Sequence, residues 1–63
     1  MFNEYDLVMA KRALSESVSQ GCIGTVLLVF TEPSIAYEVE FVDKKGNTLD
    51  VLTVHPDDVK PGK

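Results

Sequence analysis

Gly21-Cys22-Ile23-Gly24-Thr25-Val26-Leu27-Leu28-Val29-Phe30, the turn Thr31-Glu32-Pro33-Ser34, and Tyr37-Glu38-Val39-Glu40-Phe41-Val42-Asp43 carry the pattern from which the architecture follows. The run from Thr25 to Phe30 is uncharged, rich in β-branched residues, too short for a free-standing helix and bounded by turn residues, so it reads as a strand. Alternation puts Val26, Leu28 and Phe30 on one face and Thr25, Leu27 and Val29 on the other. Both faces are apolar, which predicts a strongly curved central strand of a small barrel, covered on each side. In the next segment Tyr37, Val39 and Phe41 alternate with Glu38 and Glu40, the mark of a strand with one face in the core and one in water. The two segments form an antiparallel hairpin, with Phe30 and Tyr37 assigned to the core.

Gly21 and Gly24 ahead of the first strand supply positive φ or close backbone approach, and read as a tight corner. The same spacing opens some phosphate-binding loops. A preceding parallel strand, a third glycine, a Gly-Lys-Ser/Thr ending and a following helical pattern are all missing, so that reading is set aside.

Outward from this centre, Met1 to Asp6 is a short lead-in. Leu7, Ala10, Ala13, Leu14 and Val18 match a helical stripe, but Ser15, Ser17 and Ser19 compete for backbone hydrogen bonds. A strand from Asp6 to Ala10 followed by a loop from Lys11 to Gln20 is preferred. Asp43-Lys44-Lys45-Gly46-Asn47 is a second hairpin turn, returned by a strand from Thr48 to Val54. Two registers are open for it. A four-residue loop sets Asp43 opposite Thr48, Val39 opposite Leu52, Tyr37 opposite Val54 and Phe41 opposite Asp50. A three-residue loop with a bulge sets Phe41 opposite Val51. Leu49 and Val51 differ in parity from Leu52 and Val54, so only a corner in the strand admits both sets to the core. Otherwise an apolar patch is left beside Glu38 and Glu40. Pro56-Asp57-Asp58 favours a single helical turn, after which Val59 drops back onto the core. Lys60 to Lys63 reads as a frayed tail.

Sixty-three residues make one domain, 1–63, near the lower limit at which a core alone stabilises a fold. Packing against a second copy is a natural supplement. With 44% apolar residues the chain is globular. A net charge of −4, with six scattered basic residues, argues against nucleic acid as the main partner and suits a basic protein. Cys22 is the single cysteine, so no internal disulfide or cysteine-based metal set forms. A reducing compartment follows. Acids stand where a signal peptide needs lysine or arginine, and nothing is long enough to span a membrane, which predicts the cytoplasm.

The order of these segments, above all the Tyr37-Glu38-Val39-Glu40-Phe41-Val42-Asp43 block with Gly46 and the Leu52-Thr53-Val54 strand, resembles a family of short bacterial proteins of unknown function, common in cyanobacteria. The resemblance covers almost the whole chain. It implies an all-β, SH3-like barrel of about five antiparallel strands with a short terminal helical turn, and supplies no catalytic residues. The Gly21-x-x-Gly24-x-Val26 corner is similar to that of KOW-type barrels in transcription and ribosomal proteins. The basic residues those modules place on nucleic acid are missing here.

No constellation in the chain carries chemistry convincingly. His55 with Asp57 and Asp58 lacks a third anchor, and adjacent aspartates point apart, so it reads as a solvent-facing turn histidine. Glu38 and Glu40 lie about 7 Å apart on one strand face, which reads as a solvated acidic face. Cys22 reads as a small apolar plug, and the loop serines have no histidine pattern. The expectation is a non-enzymatic protein-interaction module without cofactor or metal. Its partner would be an unidentified protein, and a homodimer through an apolar strand is a further expectation. Tyr5, Glu16, Tyr37, Glu38, Glu40 and Asp50 are the candidate contact residues, and a KOW-like nucleic-acid-binding barrel is the alternative.

Overall fold

Five strands and one 3-10 turn are built from these segments in a computed structural model that describes residues 1–63. They are β1 (Leu7–Ala10), β2 (Ile23–Phe30), β3 (Ala36–Val42), β4 (Thr48–Val54), the 3-10 turn Pro56–Asp58 and β5 (Val59–Pro61). Every pairing is antiparallel, and the sheet order is β4-β3-β2-β1-β5. Residues Lys11 to Gln20 form a loop without regular structure, as the serines predict. The class is all-β.

The two outer strands of this sheet are joined by only four residues, His55 to Asp58. Four inter-strand gaps would separate them by about 19 Å in a flat sheet. The connection from Val54 to Val59 reaches about 17 Å when fully extended and less as a 3-10 turn. The sheet therefore has to curl. One cluster then draws on all five strands: Val8 and Ala10, Val26, Tyr37, Val39 and Phe41, Val54, and Val59, with Val18 contributed by the long loop. Burying each such valine stabilises the fold by about 1.5–3 kcal/mol before chain entropy is counted.

Two bulges decide which residues face that cluster. On β2 the register moves from Val26↔Val39 to Leu28↔Glu38, leaving Leu27 as an extra residue. Parity reverses there. Val26 is buried and Val29 packs on the core, whereas Leu28 and Phe30 are 48% and 40% exposed. The grouping of Val26 with Leu28 and Phe30, the assignment of Phe30 to the core and the expectation of cover on both faces are all corrected by this one insertion. On β4 the four-residue-loop register holds from Tyr37↔Val54 to Phe41↔Asp50, then shifts to Val42↔Thr48 around Leu49. Asp43 thus pairs with Asn47, not Thr48, and Phe41 does not meet Val51. The shift is the corner that brings Leu49, Leu52 and Val54 inward together, while Val51 stays 46% exposed.

The ends are tied down. Phe2 packs edge-to-face on Tyr37 at 5.5 Å and donates its N–H to the buried Tyr37 hydroxyl at 3.1 Å. Lys60 to Lys63 does not fray as expected. Val59–Pro61 pairs with β1, and Gly62 donates to the Leu7 carbonyl at 2.9 Å. Proline is tolerated there because β5 is an edge strand whose outward side needs no donor. Asp58 is buried, ion-paired to Arg12, and accepts the His55 N–H at 2.8 Å, which closes the 3-10 turn on itself.

The β3–β4 loop is held by the Asp43 carboxylate. It accepts the N–H groups of Asn47 and Lys45, both at 2.9 Å, and the Asn47 side-chain amide at 3.2 Å, while Gly46 takes φ +88°. The Asn47 N–H, followed by the Asn47 side chain and the Lys45 and Gly46 N–H groups, holds this carboxyl below its ordinary value of 3.8, against a smaller opposing effect of burial. A depressed folded-state pKa stabilises the loop above the unfolded value and ceases to do so as pH falls through the folded one. The Asp43 carboxyl should therefore titrate with a midpoint under 3.8, read by carbon-detected NMR, with the Lys45 and Asn47 amide shifts moving in step. A midpoint at or above that value would mean the loop bonds are not made in solution.

Candidate functional site

The outer face of the sheet is built from residues that the alternation and the two bulges turn away from the core. Across β1 to β4 one row reads Leu7, Thr25, Glu40 and Val51, and the next reads Leu28, Glu38 and Thr53. Strand pairing places Glu38 beside Thr53 and Glu40 beside Val51, and Thr48, paired with Val42 past the bulge, still reaches Glu40. The Thr53 hydroxyl donates to Glu38 Oε1 at 2.9 Å and the Thr48 hydroxyl to Glu40 Oε2 at 2.5 Å. These bonds draw both carboxylates over β4. Asp50, on β4 itself, accepts the Ser15 hydroxyl at 3.1 Å and its neighbour Val51 N–H at 3.0 Å.

The structure thus brings Glu38 and Glu40 together on the outer face, whereas Asp50, paired with buried Phe41 and of the same parity as Leu52 and Val54, turns to the other side of β4, where it meets Ser15, the neighbour of the exposed Glu16. The only ion pair in the molecule is Arg12–Asp58, so none of these four acids is neutralised by a cation. Leu28, Phe30 and Val51 share the outer surface with Glu38 and Glu40. From the sequence, Leu28 and Phe30 share a face with Val26, with Phe30 preferred as core, and Val51 joins an apolar patch beside Glu38 and Glu40 in one of the two registers. The parity switch at Leu27 that turns Leu28 and Phe30 outward has no local sequence mark.

The two tyrosine candidates also lie elsewhere. Tyr37 is 1% exposed and its hydroxyl is used by Phe2, so it is a core residue with no surface to offer a partner. Tyr5 is 75% exposed in a left-handed conformation at φ +71°, before the start of β1 and two strands away from Glu40. A turn closed by the Asp6 carboxylate on the Asn3 N–H at 2.8 Å holds it there.

The larger depression, about 410 Å³, lies between the Ser19–Ile23 segment and the β3–β4 hairpin, with Cys22, Ile23, Val42 and Leu49 on its walls. Cys22 is half-buried against the core, and its Sγ lies 3.6 Å from the Ser19 hydroxyl. No general base stands on these walls: the only charged groups are Asp43, already saturated by loop donors, and Lys44. His55 is exposed at the start of the 3-10 turn. No three or more histidine, cysteine, aspartate or glutamate side chains converge. No helix is long and apolar enough to cross a membrane.

The arrangement can offer charge, apolar surface and backbone hydrogen bonds. No curated protein and no solved structure matches the chain. Its five-stranded core, from the turn before β1 to the end of β5, coincides with a family match over residues 4–61, and the chain belongs to that family, described as a domain of unknown function (DUF4926).

Proposed function

We propose that this protein is a non-catalytic interaction module, an SH3-like barrel of the cytoplasm, that receives a basic partner protein on the acidic outer face of β3 and β4. The observation that carries this reading is the pair of un-neutralised carboxylates, Glu38 and Glu40, standing on one face with exposed Leu28, Phe30 and Val51. A cationic segment gains from these charges, and the apolar side chains give it surface to bury. Nucleic acid is the poorer fit. One of the six basic residues, Arg12, is already paired with Asp58, and Lys44 and Lys45 sit on a loop tip away from any further cluster.

Isothermal titration with an amidated heptapeptide of alternating lysine and valine tests the proposal. Exposed charge pairs are worth about 0.2–1 kcal/mol each, so E38Q/E40Q should weaken binding by roughly two- to thirty-fold. A charge-matched control, E4Q/D57N, should change it less than about two-fold. Equal losses in both variants, or tighter binding of a DNA duplex than of the peptide, would dispose of the proposal.

A further inference from the structure

The two edges of the sheet are protected very differently. β5 is three residues long and contains Lys60 and Pro61, two of the devices by which proteins keep sheet edges from recruiting another strand. β4 has seven residues and neither lysine nor proline. Its only guards are the bulge at Leu49 and the charge of Asp50. β4 pairs with β3 alone, and none of the backbone hydrogen bonds outside the ladders involves Thr48 to Val54. Apart from the Val51 N–H, which donates to the Asp50 carboxylate at 3.0 Å, the N–H and C=O groups on its far side are therefore unpaired.

We infer that β4 is an acceptor strand: an extended segment of a basic partner pairs along Thr48–Val54 and adds a sixth strand to the sheet. This deepens the function proposed above and rests on its basic partner. Backbone bonds along the edge supply affinity, and alternate side chains supply selectivity. On the outer face the guest's side chains lie beside Thr48, Val51 and Thr53, within reach of the Glu40 and Glu38 carboxylates those threonines hold. On the other face they lie beside Leu49 and Leu52, both only partly buried. The segment that fits alternates lysine or arginine with apolar, β-branched residues.

Charge selects this occupant over a second copy of the chain. Two β4 edges side by side would bring two sets of Glu38, Glu40 and Asp50 within two or three strand spacings, with no cation between them. Each chain already carries a net −4.

The test uses the intact protein and the same lysine-valine heptapeptide in two alternately N-methylated forms, one blocking each edge of the peptide. Side chains and charge are then unchanged, and only backbone donors on one edge are lost. Strand addition predicts that one form binds at least ten-fold more weakly while the other stays within about three-fold of the parent. It also predicts that the parent peptide slows amide exchange of alternate residues in Thr48–Val54. Equal binding of both forms would overturn strand addition and leave the acidic-face reading standing. No binding of the parent peptide would overturn both. A dimer of the free protein in sedimentation equilibrium, with β4 amides already protected, would assign the edge to a second copy and overturn the inference.

Discussion

Replacing Gly24 with valine is expected to remove a large share of the domain's stability. Gly24 sits in β2 directly opposite Phe41, with the β3 side chains lying across it. A Cβ there would stand 2.5 Å from Val39 Cγ1, 2.9 Å from Phe41 Cδ1 and 3.0 Å from the Glu40 carbonyl oxygen. The first two contacts are far inside van der Waals range. Both neighbours are 0% exposed and lack room to retreat. Overpacking a dense core costs about 1–3 kcal/mol and sometimes more, and valine adds two further methyl groups at the most crowded point. A single core of this size supplies only about 3–5 kcal/mol, so the substitution removes a large share of the stability. Urea titration followed by far-ultraviolet circular dichroism reads this directly. A variant that unfolds within about 1 kcal/mol of the parent would show that the β2–β3 contact is looser than described.

Phe41→Ala should be as damaging for the opposite reason. Phe41 and Tyr37 are the largest fully buried side chains, and the Phe41 ring fills the space Gly24 leaves open. Removing it withdraws the transfer free energy of the ring and leaves a cavity, about 3–5 kcal/mol together. That equals the whole stability of a domain this small. Phe41→Leu should retain a cooperative transition at lower denaturant. Because the two residues share one volume, Gly24→Ala and Phe41→Leu should not be additive, and the double variant should lie about 0.5–3 kcal/mol from the sum of the single changes. Additivity within about 0.3 kcal/mol would mean that the ring does not rest on the glycine.

The candidate site was only partly visible in the residue pattern. Glu38 and Glu40 alternate with Tyr37, Val39 and Phe41, so their outward direction is legible without coordinates, because β3 is regular along its length. The turning of Asp50 to the other face is not, since it depends on a β4 register that two loop geometries compete to set. Tyr5 and Tyr37 were paired as contact residues on aromatic character alone, and the fold separates them. Tyr37 is paired to Val29 and Val54 in the middle of the sheet, and Tyr5 stands in a turn ahead of β1.

Composition, alternation and turn chemistry by themselves determine an all-β domain, the hairpins around Thr31–Ser34 and Lys44–Gly46, the loop at Lys11–Gln20, the helical turn at Pro56–Asp58 and the tight corner at Gly21–Gly24. These are properties of neighbouring residues, so short-range physics suffices. The tertiary structure alone decides that Leu28 and Phe30 face water, that Leu49 turns inward, that Val59–Pro61 becomes a strand and that the outer edge of β4 is left without a strand beside it. Each of these depends on where one extra residue is accommodated between paired strands, or on which strand closes beside which, and the free energy of that choice is spread over contacts far apart in the chain.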